Sequence, residues 1–200
     1  MGTVFFMKPR LLSLLLLVTV TTASAAMAEV AVYKIDPVHS GISFKIRHFI
    51  NKVPGIFEVF DGEIHFDREN PANSKAFASI KVASVDTRNE DRDAHLQNED
   101  FFESSRFPTI KFTSTEWEAM GGNKYRVTGD LQMLGKAKPV TLDVTFLGEV
   151  EGRGQLRSGW EATATIDRTE WGMGYGTPAV GKNVDIELNI QAHRQQADEE

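Results

Sequence analysis

Histidine offers the widest range of chemistry among the side chains of this sequence, and its histidines are scattered. His39, His48, His65, His95 and His193 fall on separate segments, and none has a partner at the short spacing of a metal motif such as H-E-x-x-H. Cysteine is absent from the sequence, which excludes thiolate metal sites and thiol catalysis. We therefore expect no metal ion and no cofactor.

Sequence motifs for nucleophilic catalysis are also missing. The chain has no G-x-S-x-G elbow, and the neighbours His39 and Ser40 would face opposite sides of a strand. The alternating glycines of residues 172–176 are not followed by a helical pattern, as a phosphate-binding loop would require, so a rim loop is expected there. The sequence predicts a binding protein rather than an enzyme, with no catalytic residue.

Positive charge and aromatic rings come together in one segment of the chain. Cationic donors beside an aromatic lip suit the mouth of a cavity that holds an apolar molecule with a polar or phosphorylated head. One alternative is that the charged residues 89–93 form an ordinary solvated helix face, and another is that Asp93 pairs with an arginine and is purely structural. Our candidates for the mouth are Arg88, Arg92, His95, Phe101 and Phe102, with Arg168 from a neighbouring strand end.

The elements that must position these residues are strands, because apolar and polar residues alternate with period two over most of the chain. The alternation is typical of strands with one buried and one wet face. It predicts a short strand at residues 32–35 and eight longer ones at residues 42–47, 60–66, 76–82, 110–114, 125–133, 140–150, 160–166 and 184–190.

Turn signals separate the predicted strands, and short connections of this kind join antiparallel neighbours. They lie at residues 53–55, 70–73, 121–123, 134–136 and 151–154. Only residues 86–105 break the rhythm, where Asp86 or Asn89 could cap a short helix.

Eight long strands with one apolar face each can close as a barrel or stack as a sandwich. Several of the alternating patterns are longer than the usual strand of about 5 to 6 residues, which favours a tall barrel. We predict an all-β fold, an eight-stranded antiparallel β-barrel with one short helical excursion.

The inward face of this predicted barrel combines large and very small side chains. Phe44 and Phe60 share the inward parity with Ala78 and Ala164, and His48 has the same parity near a strand end. Small inward residues predict an elongated apolar cavity. The alternative is that they relieve crowding or kink the strands.

The N-terminus has the three parts of a secretory signal, namely a basic start, an apolar run at residues 11–20 and an A-x-A cleavage site ending at Ala28. We expect a signal peptide at residues 1–28, a single barrel domain at residues 29–200 and a periplasmic location, with no stable membrane anchor. Without Lys8 and Arg10, 20 basic and 28 acidic residues remain, a net charge of −8. Such a charge disfavours both nucleic acid and anionic membrane surfaces as partners.

Specific strings in the sequence are more informative than its periodicity. Residues 36–48 follow the pattern D-x-x-H-S-x-I-x-F-x-x-x-H, which resembles the opening motif of the YceI-like family. Trp171-Gly172 stands where that family usually has Phe-Gly, a change that keeps an aromatic residue. Further similar strings lie at residues 84–87, 92–96, 100–102, 107–114, 129–131, 135–140 and 168.

The resemblance implies an extended lipocalin-like barrel that binds a polyisoprenoid or isoprenoid-quinone-type lipid in its lumen, as a monomer or homodimer. Two other functions stay open at this point. One is an enzyme that acts on a lipid-like substrate inside the same barrel, and the other is a stress-linked surface scaffold or adhesin.

Overall fold

The computed structural model describes residues 1–3 and 30–196 of the chain. The predicted signal peptide lies outside the described residues from residue 4 onward. The described part forms the helix α1 (Glu90–Leu96) and the strands β1 (Ala31–Ile35), β2 (Gly41–His48), β3 (Asn51–Phe57), β4 (Phe60–Phe66), β5 (Lys75–Lys81), β6 (Val85–Asp86), β7 (Thr109–Gly121), β8 (Lys124–Met133), β9 (Lys136–Gly152), β10 (Gln155–Asp167) and β11 (Val180–Arg194). None of the helices among the described residues is long and apolar enough to cross a membrane.

The eleven strands form a closed barrel whose wall has eight long strands, which we call staves. Three of the staves are bent, and each of these three consists of two of the strands given above. β1 continues into β2, β3 into β4, and β5 into β6. Each stave pairs antiparallel with its neighbours in sequence, and β11 pairs with both β1 and β2, which closes the ring. The predicted eight-stranded antiparallel barrel with one short helix is confirmed.

The bend between β1 and β2 is a large bulge against β11. Ile35 pairs with Ala192 and Gly41 pairs with Asn189, so residues 36–40 face only two residues of β11. Ser40 holds the bulge in place, because its Oγ accepts from the N–H of Gln191 at 3.0 Å and donates to the carbonyl of Gln191 at 3.1 Å.

A carboxylate network fills the same bulge. Asp36 accepts hydrogen bonds from His39 Nδ1 at 2.7 Å, from His193 Nε2 at 2.9 Å and from the N–H of Val38 at 2.9 Å. Burial raises the pKa of Asp36, but the hydrogen bonds from His39 and His193 outweigh burial and hold that pKa well below its usual range. The residues that open the family motif therefore serve to pin a bend in the wall.

The turn predicted at residues 53–55 is wrong, because Pro54 and Gly55 lie inside β3. Pro54 pairs with Lys45 of β2 on one side, while β6 on the other side reaches only Ile56 and Phe57. Residues 51–55 thus form a sheet edge, where the missing N–H of a proline costs no ladder hydrogen bond.

The interior of the barrel is divided into two halves. At the end where β1 meets β11, which we call the closed end, aromatic rings fill the lumen around Phe66. Its ring centre lies 4.8 Å from that of Trp160 and 5.3 Å from that of Phe146. We call this cluster the aromatic plug, and it consists of Tyr33, Phe66, Trp117, Tyr125, Phe146 and Trp160, all nearly inaccessible to solvent.

The opposite end, the open end, is formed by the β2–β3 hairpin, the segment 86–108 and the loop 172–179. Asn89 caps α1 there by accepting the N–H of Arg92 at 2.8 Å, as one of the two predicted caps. This end carries the residues that the sequence assigned to a mouth.

Candidate functional site

A cavity of about 440 Å³ occupies the open half of the barrel, above the aromatic plug. Its volume lies in the range of about 300 to 1,000 Å³ that small-molecule sites have. The wall is mostly aliphatic and aromatic, with strand residues below and the helix and loops at the rim. Eight of the predicted site residues line it, and they are Phe44, His48, Ala78, Arg92, His95, Phe101, Phe102 and Arg168.

The structure does not bring the other three predicted residues into the cavity wall. Phe60 has the expected inward parity, but it packs in a buried cluster with Val82 and Val85, where β5 bends into β6. Arg88 lies in a left-handed turn with a φ of 62° before the helix, and its side chain is exposed. Ala164 packs against the same buried cluster and is not among the residues that line the cavity.

The small inward residues keep the lumen open in a way that the sequence analysis did not foresee. Gly55 lies under the ring of Phe44, and Gly129 lies under the ring of Phe112. A Cβ at residue 129 would lie 2.5 Å from Phe112 Cζ, and one at residue 55 would overlap the ring of Phe44. These glycines therefore let two rings lie flat on the wall, because any larger residue would push the rings inward.

Three rings form one side of the mouth. The ring centre of His95 lies 5.1 Å from that of Phe101 and 5.0 Å from that of Tyr175, all in edge arrangements. His95 Nε2 also lies 2.8 Å from a carboxylate oxygen of Asp100. The predicted aromatic lip is present, and it includes a tyrosine that the sequence analysis missed.

Arg92 reaches the mouth through a hydrogen-bond network with Thr87. Its Nε donates to Thr87 Oγ1 at 2.7 Å, and its Nη2 donates to the Thr87 carbonyl at 2.6 Å. Asp93 accepts the backbone N–H of Thr87 at 2.9 Å, and among the described residues it forms no ion pair with an arginine. The alternative in which Asp93 pairs with an arginine is therefore wrong, whereas residues 89–92 are exposed, as the solvated-face alternative predicts. Nη1 of Arg92 forms no hydrogen bond within the described part of the chain.

Arg168 is a buried cation whose donors are largely used by the protein. Its guanidinium donates to the carbonyls of Gly181 at 2.8 Å, Met173 at 2.6 Å and Tyr175 at 2.8 Å. Burial lowers the pKa of Arg168, and the neighbouring carboxylate of Asp167 only partly opposes that effect. Arg168 lines the cavity, but its first task is to tie the loop 172–179 to the barrel.

Comparison with known proteins identifies the family. Residues 33–192 match the YceI-like domain family. The chain belongs to the YceI-like family. Among its relatives, a UPF0312 protein of Photorhabdus laumondii subsp. laumondii is 37% identical over 193 residues, which cover 94% of this YceI-like chain and 99% of that protein.

Solved structures agree on the fold. BcnA of Burkholderia cenocepacia matches with a TM-score of 0.72 and 28% identity, covering 78% of this chain and 98% of BcnA. A polyisoprenoid binding domain from Saccharophagus degradans matches with a TM-score of 0.62 over 84% of this chain and all of that domain. At 15% identity, the second likeness concerns the fold alone.

Several residues that line the cavity of this YceI-like chain carried too weak a sequence signal to be assigned. Tyr175 stands between glycines in what looked like a plain rim loop, although an aromatic residue among glycines was a usable signal. Thr87 lines the cavity and orients Arg92, a role that depends on contacts across the turn and not on residue type. Phe112 was placed correctly on a strand, but its position over Gly129 depends on which strands are neighbours.

Proposed function

We propose that this protein binds an apolar, chain-like lipid of the polyisoprenoid class in the open half of the barrel and carries it in the periplasm. The observation that carries the proposal is a mostly apolar cavity of about 440 Å³ with its few polar groups gathered at one mouth. A structurally similar domain from Saccharophagus degradans is a polyisoprenoid binding domain, which supports the same ligand class.

The shape of the cavity fits one end of a long chain. Phe112, Leu142 and Leu188 line the cavity and pack against the aromatic plug, which blocks the lumen beyond them. A chain longer than the open half must therefore leave the remainder at the mouth. Flat rings of Phe44 and Phe112 offer broad apolar walls on either side of such a chain. Burial of each methylene group is worth about 0.8 kcal/mol, so even a few isoprene units bind usefully.

The head group of the lipid would lie at the mouth, near Arg92, His95 and His48. A phosphate there would accept a charge-assisted hydrogen bond from Arg92, and a quinone would accept a neutral one. We propose binding without catalysis and without a cofactor, since Arg92 and Arg168 use most of their donors to hold the helix and the loop 172–179 in place.

Native mass spectrometry of the protein purified from the periplasm of cells that express the full chain tests this proposal. We expect an adduct with the mass of an isoprenoid lipid, which organic extraction removes and added lipid restores. Turnover of that lipid would favour an enzyme instead. A protein that carries no lipid and takes up none would contradict the proposal and favour a surface scaffold.

A further inference from the structure

The β2–β3 hairpin ends in two exposed apolar residues. His48 pairs with Asn51, so the turn consists of Phe49 and Ile50 alone. Phe49 is 63% exposed and Ile50 is fully exposed. Single apolar residues on a surface are common, but two large ones at the most protruding point of a hairpin are not needed to make the turn.

Local structure does not favour these residue types. Phe49 has a φ of 52°, a left-handed conformation that glycine and asparagine adopt far more readily than phenylalanine. The tip is nevertheless held firmly, because the N–H of Phe49 donates to the carbonyl of Ala179 at 2.7 Å. Arg47 adds bonds to the carbonyls of Phe49 at 2.6 Å and Pro178 at 2.7 Å. The apolar tip is therefore a rigid, presented feature and not a loose end.

The charge of the tip is opposite to that of the chain. Residues 47–52 contain Arg47 and Lys52 and no acidic residue, while the whole sequence has a net charge of −6. Lys52 pairs with Asp185 at 2.6 Å, whereas Arg47 has no carboxylate partner in the described part of the chain. Apolar residues flanked by cations are typical of segments that enter an anionic lipid surface.

The tip is continuous with the mouth of the cavity. His48 lines the cavity, and its ring centre lies 4.8 Å from that of Phe49. Tyr175, half exposed, also lines the cavity and belongs to the loop that binds the tip. A surface that receives Phe49 and Ile50 would thus lie directly against the mouth.

We propose that the tip formed by residues 47–52 docks this barrel, mouth first, on an anionic phospholipid bilayer. Phe49 and Ile50 enter the boundary between head groups and acyl chains, and Arg47 lies among the lipid phosphates. Docking is reversible, because two side chains provide far less burial than a membrane span. This inference goes beyond the proposed lumen ligand and holds for a barrel with an empty cavity.

Flotation with vesicles of phosphatidylglycerol and phosphatidylethanolamine tests the docking, using protein purified from cells that express the full chain. We compare the wild type with Phe49→Gly/Ile50→Ser, which places turn-favoured residues at both positions and removes the apolar tip. The matched control is Val150→Ser, since Val150 is 65% exposed at the closed end of the barrel. The melting temperature of the double variant should be equal to or above that of the wild type, because glycine adopts the left-handed conformation without strain.

We expect the wild type and Val150→Ser to float with these vesicles at low salt, less at high salt, and less with phosphatidylcholine alone. The partition coefficient of Phe49→Gly/Ile50→Ser should fall by about tenfold or more, while the variant keeps its copurified lipid. A wild type that does not float, or a double variant that floats equally well, overturns the proposal. A wild-type dimer that the double substitution converts to a monomer, without vesicle binding, would assign the tip to a second copy of the chain instead.

Discussion

The arginines at the mouth differ in how many of their hydrogen-bond donors the protein itself uses. Arg168 is buried and donates to two backbone carbonyls of the loop 172–179 and to that of Gly181 in β11. Arg92 binds Thr87 through two of its nitrogens, and its third forms no hydrogen bond within the described residues. Arg88 is exposed and does not line the cavity, although the preceding Thr87 does. Sequence reasoning brought these arginines together correctly by segment, but the hydrogen bonds that separate their roles depend on the exact path of two loops.

This difference makes Arg88 a matched control for Arg92. We expect Arg92→Gln to weaken binding of a phosphorylated isoprenoid about tenfold more than binding of the uncharged alcohol, because only the phosphate loses a charge-assisted hydrogen bond. Arg88→Gln should change neither affinity. Lipid titrations followed by tryptophan fluorescence measure both, and an equal loss for the two ligands would limit Arg92 to supporting the fold.

The carboxylate of Asp36 should make stability depend on pH. A carboxyl group whose pKa is lowered in the folded state stabilises the fold above its unfolded pKa of about 3.9, and that contribution is lost as the pH falls through the folded pKa. Asp36→Asn should therefore lower the free energy of unfolding at pH 6 by roughly 1.5 to 3 kcal/mol. The difference in the free energy of unfolding between this variant and the wild type should become smaller below about pH 4.

Urea denaturation at a series of pH values measures this difference. His39→Gln is a useful companion, since it removes one of the two imidazole donors and leaves the Asp36 carboxylate in place. A gap between Asp36→Asn and the wild type that stays constant from pH 6 to pH 3 would contradict the role assigned to the charge.

At the scale of elements, alternation predicted the strands well, because a strand with one wet face imprints its period on the sequence directly. The failure at Pro54 and Gly55 has a physical reason. Turn signals report what one segment prefers in isolation, but an edge position tolerates the proline and the ring of Phe44 requires the glycine. Neither fact is visible before the neighbours of β3 are known.

The pairing of ring and glycine across strands leads to a prediction about the cavity. In Gly55→Ala, the nearest atoms to the new Cβ all belong to the ring of Phe44, which can rotate into the lumen. We expect lipid binding to fall about tenfold while the melting temperature changes little. In Gly129→Ala, the new Cβ also lies 2.6 Å from the carbonyl oxygen of Thr113, which cannot move as easily.

Gly129→Ala should therefore lose both binding and stability, by about 1 to 3 kcal/mol. Thermal denaturation and lipid titration of the two variants separate the effects. Unchanged binding in Gly55→Ala would mean that the Phe44 ring moves away from the lumen rather than into it.

At the scale of the whole molecule, the two interpretations of the small inward residues are both partly right. The barrel is solid at the aromatic plug and open above it. Parity alone indicated which side chains face inward, but it carries no information on height along the barrel axis. Even height does not separate Ala78 from Ala164, because Ala164 pairs with Ile186, which lines the cavity. The side chains around each alanine decide whether it reaches the cavity wall, and no single strand encodes those neighbours.

Substitution of these two alanines tests whether the open half of the barrel is empty, because the two variants should behave differently. Ala78→Phe places a ring in the cavity, so copurified lipid should fall sharply with little change in melting temperature. Ala164→Phe overfills a packed site and should destabilise the fold by about 1 to 3 kcal/mol. Thr163→Phe, at an exposed position of the same strand, is the control for both. A large drop in melting temperature for Ala78→Phe would contradict an open lumen.

The pairing between β3 and β6 has a kinetic consequence. Only Ile56 and Phe57 join these strands, whereas β10 and β11 pair continuously along residues 157–167. Opening that seam breaks few hydrogen bonds, so it costs much less free energy than global unfolding. We therefore expect the wall to open beside the cavity more readily than at the aromatic plug, which would give an apolar molecule a second route into the cavity besides the mouth. The half of the barrel that holds the cavity is thus also the half with the shortest strand pairing.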